Sequence, residues 1–341
     1  MLLGSTVAFV FSVLATIIVY TLLNLLSNFF LRHGYYGIDI HKPNQPKVPE
    51  MGGIASSIVV TLLLVGIYII VPIYAKFYVF DVLFLFIYFS CLGLVDDLKG
   101  LSGKYKLSGT ILGGGLTLII AKLTNTNFYV PRPFLPFIGQ IHGVNFLYPF
   151  LIVAAFAVTS NAFNMYDVYN GTLTFASTVV FAELGLLILY ANVANYAALT
   201  SIISFIFAGA SLGLFLVNRY PSKFFIGDTG SLSLGAAYSM IAIMGRVEVV
   251  AAVAIIPMLI NGFLSFSSVG KIFERHEVNA RPVLVENGRI RANPTPGAPM
   301  SLANFLTSSS PLTEKQIILR YHALTLIGAV LGFMTFLLIQ W

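Results

Sequence analysis

Ten mostly apolar runs divide the chain, near 7–31, 52–75, 77–95, 107–123, 144–161, 172–192, 196–217, 229–245, 247–270 and 316–340. Each approaches the roughly 20 residues that a helix needs to cross the hydrocarbon core of a bilayer. Between them there is little to face water. Of 341 residues, 19 are Lys or Arg and 13 are Asp or Glu, which is 9%. A soluble domain carries about 25%. This excludes an ordinary cytosolic enzyme, a disordered chain and a nucleic-acid binder. Short segments of alternating polarity are absent, which argues against a β-barrel. No internal repeat is visible, which weakens an inverted-repeat transporter. The first run follows no basic segment and has no suitable cleavage site, so it reads as a span rather than a cleaved signal. Cys91, the single cysteine, lies in an apolar run and reads as a small buried hydrophobe. The expected fold is an all-α integral membrane protein of ten transmembrane helices. Residues 1–341 would form one polytopic membrane domain, with the active site in cytoplasmic loops.

Ten spans put segments 31–51, 96–106, 161–172, 218–228 and 270–315 on one side. Arg32, Lys42, Lys47, Lys99, Lys104, Lys106, Arg219, Lys223 and most remaining basic residues lie there, against Lys76, Lys122, Arg132 and Arg246 opposite. The positive-inside rule makes that side cytoplasmic and leaves both termini outside. The carboxylates gather on the same side, all but Asp81, Glu183 and Glu248. Acidic residues do not follow the positive-inside rule, so a catalytic face is one cause for their clustering.

Five motifs occupy this face. Asp96 and Asp97 end the third run, and Lys99, Lys104 and Lys106 follow. Adjacent carboxylates repel at a helix end near the bilayer, and a divalent cation or basic groups would relieve them. In NAFNMYDVYNG, 161–171, polar residues Asn161, Asn164, Asp167 and Asn170 recur every third position, which on a helix is one face. Carboxamides there can ligate a hard cation or read a base edge; a polar cap and turn is the plain alternative. In FFIGDTGSLSLGA, 224–236, Asp228 resembles the N-cap of the eighth span. The segment 270–315 holds Arg275, His276, Arg281, Arg289 and Arg291, suited to a pyrophosphate or to anionic lipid. Its Asn287-Gly288 pair, between RPVLV and RIRA, predicts a small β-hairpin. Finally, the proline-rich stretch 37–55 reads as a stiff loop able to wall a cleft.

Taken together, and in this order, the motifs resemble those of the polyprenyl-phosphate N-acetylhexosamine-1-phosphate transferases. The branch that looks most similar is the archaeal and eukaryotic UDP-N-acetylglucosamine–dolichyl-phosphate N-acetylglucosaminephosphotransferases. The resemblance implies catalytic roles for Asp96, Asp97 and Lys106. It implies substrate contacts at Ile38, Asp39, Ile40, Glu50, Asn161, Asn170, Arg275, His276 and Arg281. Asn170 would meet uracil, and Arg275 and His276 the sugar pyrophosphate. Asn164 and Asp228 would hold Mg²⁺, with Mn²⁺ as a substitute. Two positions depart from the pattern: Glu277 stands where a third basic residue is expected, and Gly100 replaces an Asn.

The implied reaction joins UDP-GlcNAc to dolichyl or polyprenyl phosphate and releases UMP, the first membrane step of lipid-linked oligosaccharide synthesis for N-glycosylation. The implied partners are those two substrates, membrane lipid and a second copy in a homodimer, with no nucleic acid. Alternatives are transfer of another N-acetylhexosamine-1-phosphate for an envelope glycan, and a membrane transporter built around Glu183 in the sixth run. A lipid-phosphate hydrolase would want clustered histidines, and the five here are scattered.

Overall fold

The computed structural model describes residues 2–42, 44–126, 133–270 and 280–341. Helices dominate it: α1 (Leu2–Arg32), α2 (Gly53–Ile70), α3 (Ile73–Lys99), α4 (Gly103–Leu123), α5 (Tyr148–Tyr166), α6 (Thr172–Ala191), α7 (Ala197–Asn218), α8 (Gly227–Gly245), α9 (Glu248–Ala254), α10 (Ile256–Val269), α11 (Leu302–Thr307) and α12 (Glu314–Leu337). Chain chemistry sets many of the ends. Gly100, at φ +63°, stops α3. Pro257, in the first turn of α10, cannot continue the hydrogen-bond ladder of α9, and the two meet at 68°. Reciprocal Thr313–Gln316 bonds box the start of α12.

Eight of these helices are long and apolar enough to cross a membrane, and α9–α10 makes a ninth if the bent pair is one span. This is an integral membrane protein, with eight or nine such spans among the described residues against the ten expected. The run missing from either count is α8. It forms over the eighth run but is rich in Gly and Ser. From Thr229 to Gly245 every side chain is buried, because α2, α3, α5 and α7 pack around it. A helix enclosed by protein does not need the apolar surface that lipid demands. Glycine permits this enclosure. A Cβ on Gly53 of α2 would strike the backbone of Gly230, and one on Gly93 of α3 the backbone of Asp228 and Thr229. Cys91 also departs from expectation: it is exposed on α3, beside Ser57 and Ile58 of α2. An outer helix of a membrane bundle turns apolar side chains toward lipid rather than into a protein core.

Among the described residues, three antiparallel hairpins join the helices. The expected one is present: β5 (Val283–Glu286) pairs with β6 (Arg289–Ala292) around Asn287 and Gly288, both at positive φ. Two were not foreseen, β1 (Tyr36–Ile38) with β2 (Lys47–Pro49), and β3 (Phe134–Leu135) with β4 (Gly139–Gln140).

Candidate active site

The end of α3, the starts of α4 and α8 and the last turn of α5 converge on one polar cluster. Asp96 is buried; its Oδ1 accepts the Leu101 N–H at 2.7 Å and so shapes the turn into α4. Its Oδ2 lies 2.5 Å from Lys106 Nζ. Lys106 is 1% exposed, a depth at which an ammonium needs partners. It also reaches Asp228 Oδ2, at 3.0 Å. Asn164 donates Nδ2 to Asp228 Oδ1 and to Ser231 Oγ, the latter at 2.9 Å.

Asp97 is held differently. Its Oδ1 accepts the Asp228 N–H at 2.7 Å, and its Oδ2 accepts the Thr229 N–H at 2.9 Å and the Thr229 hydroxyl at 2.5 Å. It therefore caps α8 from another helix, which corrects the expectation that Asp228 is the N-cap. Asp228 sits inside the first turn, so its carboxylate is free of capping and points to Lys106 and Asn164.

Two further carboxylates act on this cluster. Burial, then Asp97 and Asp228, hold the Glu50 carboxyl above its ordinary range. Burial, then Asp228, Glu50 and Asp97, push Asp167 up to about 8. The sequence gives Asp167 no role beyond its place in the 161–171 motif; only the fold reveals which carboxylates it faces. The donors are carboxylate and carboxamide oxygens in negative excess, which fits Mg²⁺.

A second cluster lies behind β1–β2. Asn170 Nδ2 donates to Asp39 Oδ2 at 3.2 Å and to Glu314 Oε1 at 2.8 Å. Its Oδ1 accepts the Ser222 N–H at 2.7 Å and Lys42 Nζ at 3.2 Å. Lys42 pairs with Asp39 and, at 3.4 Å, with Glu314. Asp39, His41 and Glu314 bring ligand atoms within 4.8 Å of one another, but the Lys42 ammonium already supplies the positive charge there. His41 stacks on Tyr169. Neither Lys42 nor Glu314 is among the site residues that the sequence points to.

The structure thus brings Asp96, Asp97, Lys106, Asn164 and Asp228 together, with Glu50 in electrostatic range, and joins Asp39 to Asn170. The common helical face expected for 161–171 is not formed. Helix α5 ends at Tyr166, Asp167 leaves helical geometry and Gly171 takes φ +80°. Asn161 points instead to Thr110 Oγ1 at 3.0 Å, tying α5 to α4. Ile38 is exposed, Ile40 half-buried, and Arg281 exposed before β5. Arg275, His276 and Glu277 lie outside the described residues.

The chain is similar to known proteins over much of its length. The signature of glycosyl transferase family 4 matches residues 79–246, from α3 to the end of α8. A Methanocaldococcus jannaschii protein named as a glycosyltransferase is 28% identical over 298 residues, 87% of this chain and 85% of its own. A Saccharolobus solfataricus protein named as a UDP-N-acetylglucosamine–dolichyl-phosphate N-acetylglucosaminephosphotransferase is 28% identical over 233 residues, 67% of this chain and 69% of its own. The phospho-N-acetylmuramoyl-pentapeptide-transferase of Solidesulfovibrio magneticus is 33% identical over 245 residues, 64% of this chain and 65% of its own. Nothing in these matches favours a transporter. Over residues 79–246 the chain is similar to glycosyl transferase family 4, and identities near 28% leave the branch open.

Proposed function

We propose that the protein transfers N-acetylglucosamine-1-phosphate from UDP-GlcNAc to a dolichyl or other polyprenyl phosphate and releases UMP. The observation that carries this reading is the Asp228–Asn164–Lys106–Asp96 cluster at the joined ends of four helices. An oxygen of the lipid phosphate attacks the sugar-linked phosphorus, and the bond to the UMP oxygen breaks. One pyrophosphate replaces another, so positioning and charge neutralisation are the main demands. Mg²⁺, held by Asp228 and Asn164, would supply Lewis-acid charge to the diphosphate. Lys106, fixed between Asp96 and Asp228, offers a second positive group. A phosphate monoester has its second pKa near 6. The acceptor is thus mostly dianionic at neutral pH and needs no strong base. This suits Asp97, whose oxygens are occupied by α8. Asp39, Glu50 and Asn170 would face the nucleotide side.

The test is UMP release by the purified protein in detergent with UDP-GlcNAc, dolichyl phosphate and Mg²⁺. UMP that requires lipid and disappears with excess EDTA supports the reaction class, and exchanging the sugar nucleotide tests the donor. No UMP from folded protein with any of several UDP-sugars and polyprenyl phosphates would refute the reading.

A further inference from the structure

The second cluster arranges a carboxamide in a way that has a chemical consequence. Asn170 is 5% exposed, Asp39 2% and Glu314 5%. An amide offers two N–H donors and two oxygen lone pairs, and here all four are used. Both N–H groups meet carboxylates, Asp39 and Glu314. Both lone pairs meet donors, the Ser222 N–H and the Lys42 ammonium. Turned over, the amide would set its oxygen against two carboxylates and its NH₂ against an N–H and an ammonium. Every one of those contacts is repulsive, so a single orientation is held.

The partners differ in how readily they can leave. Glu314 is 5% exposed at the start of α12, where the Thr313–Gln316 box fixes the helix end that carries it, and the Ser222 N–H is backbone. Lys42 is the exchangeable one: its side chain is 14% exposed, on the loop between β1 and β2, over the ring of Tyr220. Lys42 occupies the oxygen. A ligand that displaces it therefore meets an acceptor.

We infer that Glu314 and Asp39 are positioning residues that lock the Asn170 carboxamide with Oδ1 toward the nucleotide, and that this lock selects uracil over cytosine. The inference rests on Asn170 being the nucleobase contact in the reading above. Uracil carries a proton on N3 and matches an acceptor. Cytosine presents a lone pair at N3 and is repelled by it. A site that hydrogen-bonds one partner rejects the mismatched analogue because its own polar group is left unpaired.

Binding of UMP and of CMP to the full-length protein, purified in detergent with Mg²⁺, tests this. The wild type should prefer UMP by about tenfold or more. Glu314→Gln keeps the shape and removes the charge, and should narrow that preference severalfold, chiefly by improving CMP. Asp39→Asn, reaching the same NH₂ group from the other side, should do likewise. If both variants weaken UMP and CMP equally and keep the ratio, the cluster only supports the fold and the inference is overturned. If the wild type binds UMP and CMP alike, or neither, the base contact at Asn170 fails and the inference fails with it.

Discussion

Asp228 accepts from an ammonium and a carboxamide through its side chain while its own N–H donates to Asp97. Substitution therefore separates chemistry from fold. Asp228→Asn keeps the backbone bond and the volume but removes the charge. It should lower turnover about 10²-fold or more, the usual cost of removing one electrostatic group from such a site. The protein should still fold in detergent, because Asp96 continues to pair with Lys106; near-normal UMP release would exclude Asp228 from the reaction. Asp167 makes a different prediction. With its carboxyl near 8 in the fold and about 3.9 when unfolded, the folded state holds a proton that the unfolded state has lost. Stability of the metal-free protein should then fall as pH rises from about 4 to 8, and flatten above. The slope is at most ~1.4 kcal/mol per pH unit for one proton, and less because the group is partly exposed to water. Thermal unfolding of Asp167→Asn across that window, beside wild type, should show a shallower decline. An identical decline would show that Asp167 is not the group responsible. Mg²⁺ should stabilise the wild type most at high pH, where it no longer competes with the proton.

At the scale of elements, α8 is the piece on which the cluster depends, and its first turn is secured from α3. Asp97→Ala leaves the Asp228 and Thr229 N–H groups without their carboxylate, a cost of about 1–3 kcal/mol. Asp97→Asn retains an acceptor and should lose less. Melting in detergent, expected in the order wild type, Asn, Ala, checks this; equal melting would mean that water replaces the cap. Gly93→Ala is more severe, because its Cβ would meet the Asp228 carbonyl and α3 would have to move away from α8. It should yield little folded protein, and a well-folded Gly93→Ala chain would disprove the tight contact. These elements also show what the sequence discloses. The ten runs coincide with helices because length and apolarity are local properties, and Asn287-Gly288 announces its hairpin for the same reason. The capping of α8 by a residue more than a hundred positions away leaves no local mark, so Asp228 was mistaken for the cap. Likewise Asn161 and Asn164 belong to one helix but turn to different neighbours, Thr110 and Asp228. Glu314 was overlooked because its partners Asp39 and Asn170 come from distant parts of the chain.

In the whole molecule, chain direction sorts the helix ends into two polar layers. The ends of α3 and α5 and the starts of α4, α8 and α12 supply Asp96, Asn164, Lys106, Asp228 and Glu314. The end of α4 carries Thr124, bonded to Asp81 of α3, and the starts of α5 and α9 are joined by Tyr148 and Glu248. Near this second layer Arg246 lies over Phe134, and Phe134 packs on Trp341 at the chain's end. Helix α1 runs into the β1–β2 loop of the Asp39–Asn170–Glu314 cluster, so its start lies at the end away from it. Both termini should therefore face the side opposite the Asp96–Asp228 cluster, and the positive-inside rule predicts that this cluster faces the cytoplasm. Single cysteines at positions 2, 287 and 341 test this in sealed vesicles, after Cys91→Ala removes the exposed native thiol. A membrane-impermeant maleimide should label 2 and 341 from one side and 287 only from the other. Position 287 is the tip of the β5–β6 hairpin, whose Ile290 bridges to Leu312 just before α12, so it reports the side on which Glu314 lies. Labelling of 2 and 287 from the same side would mean that α1 does not cross as a single span. Labelling of 287 and 341 from the same side would say the same of α12.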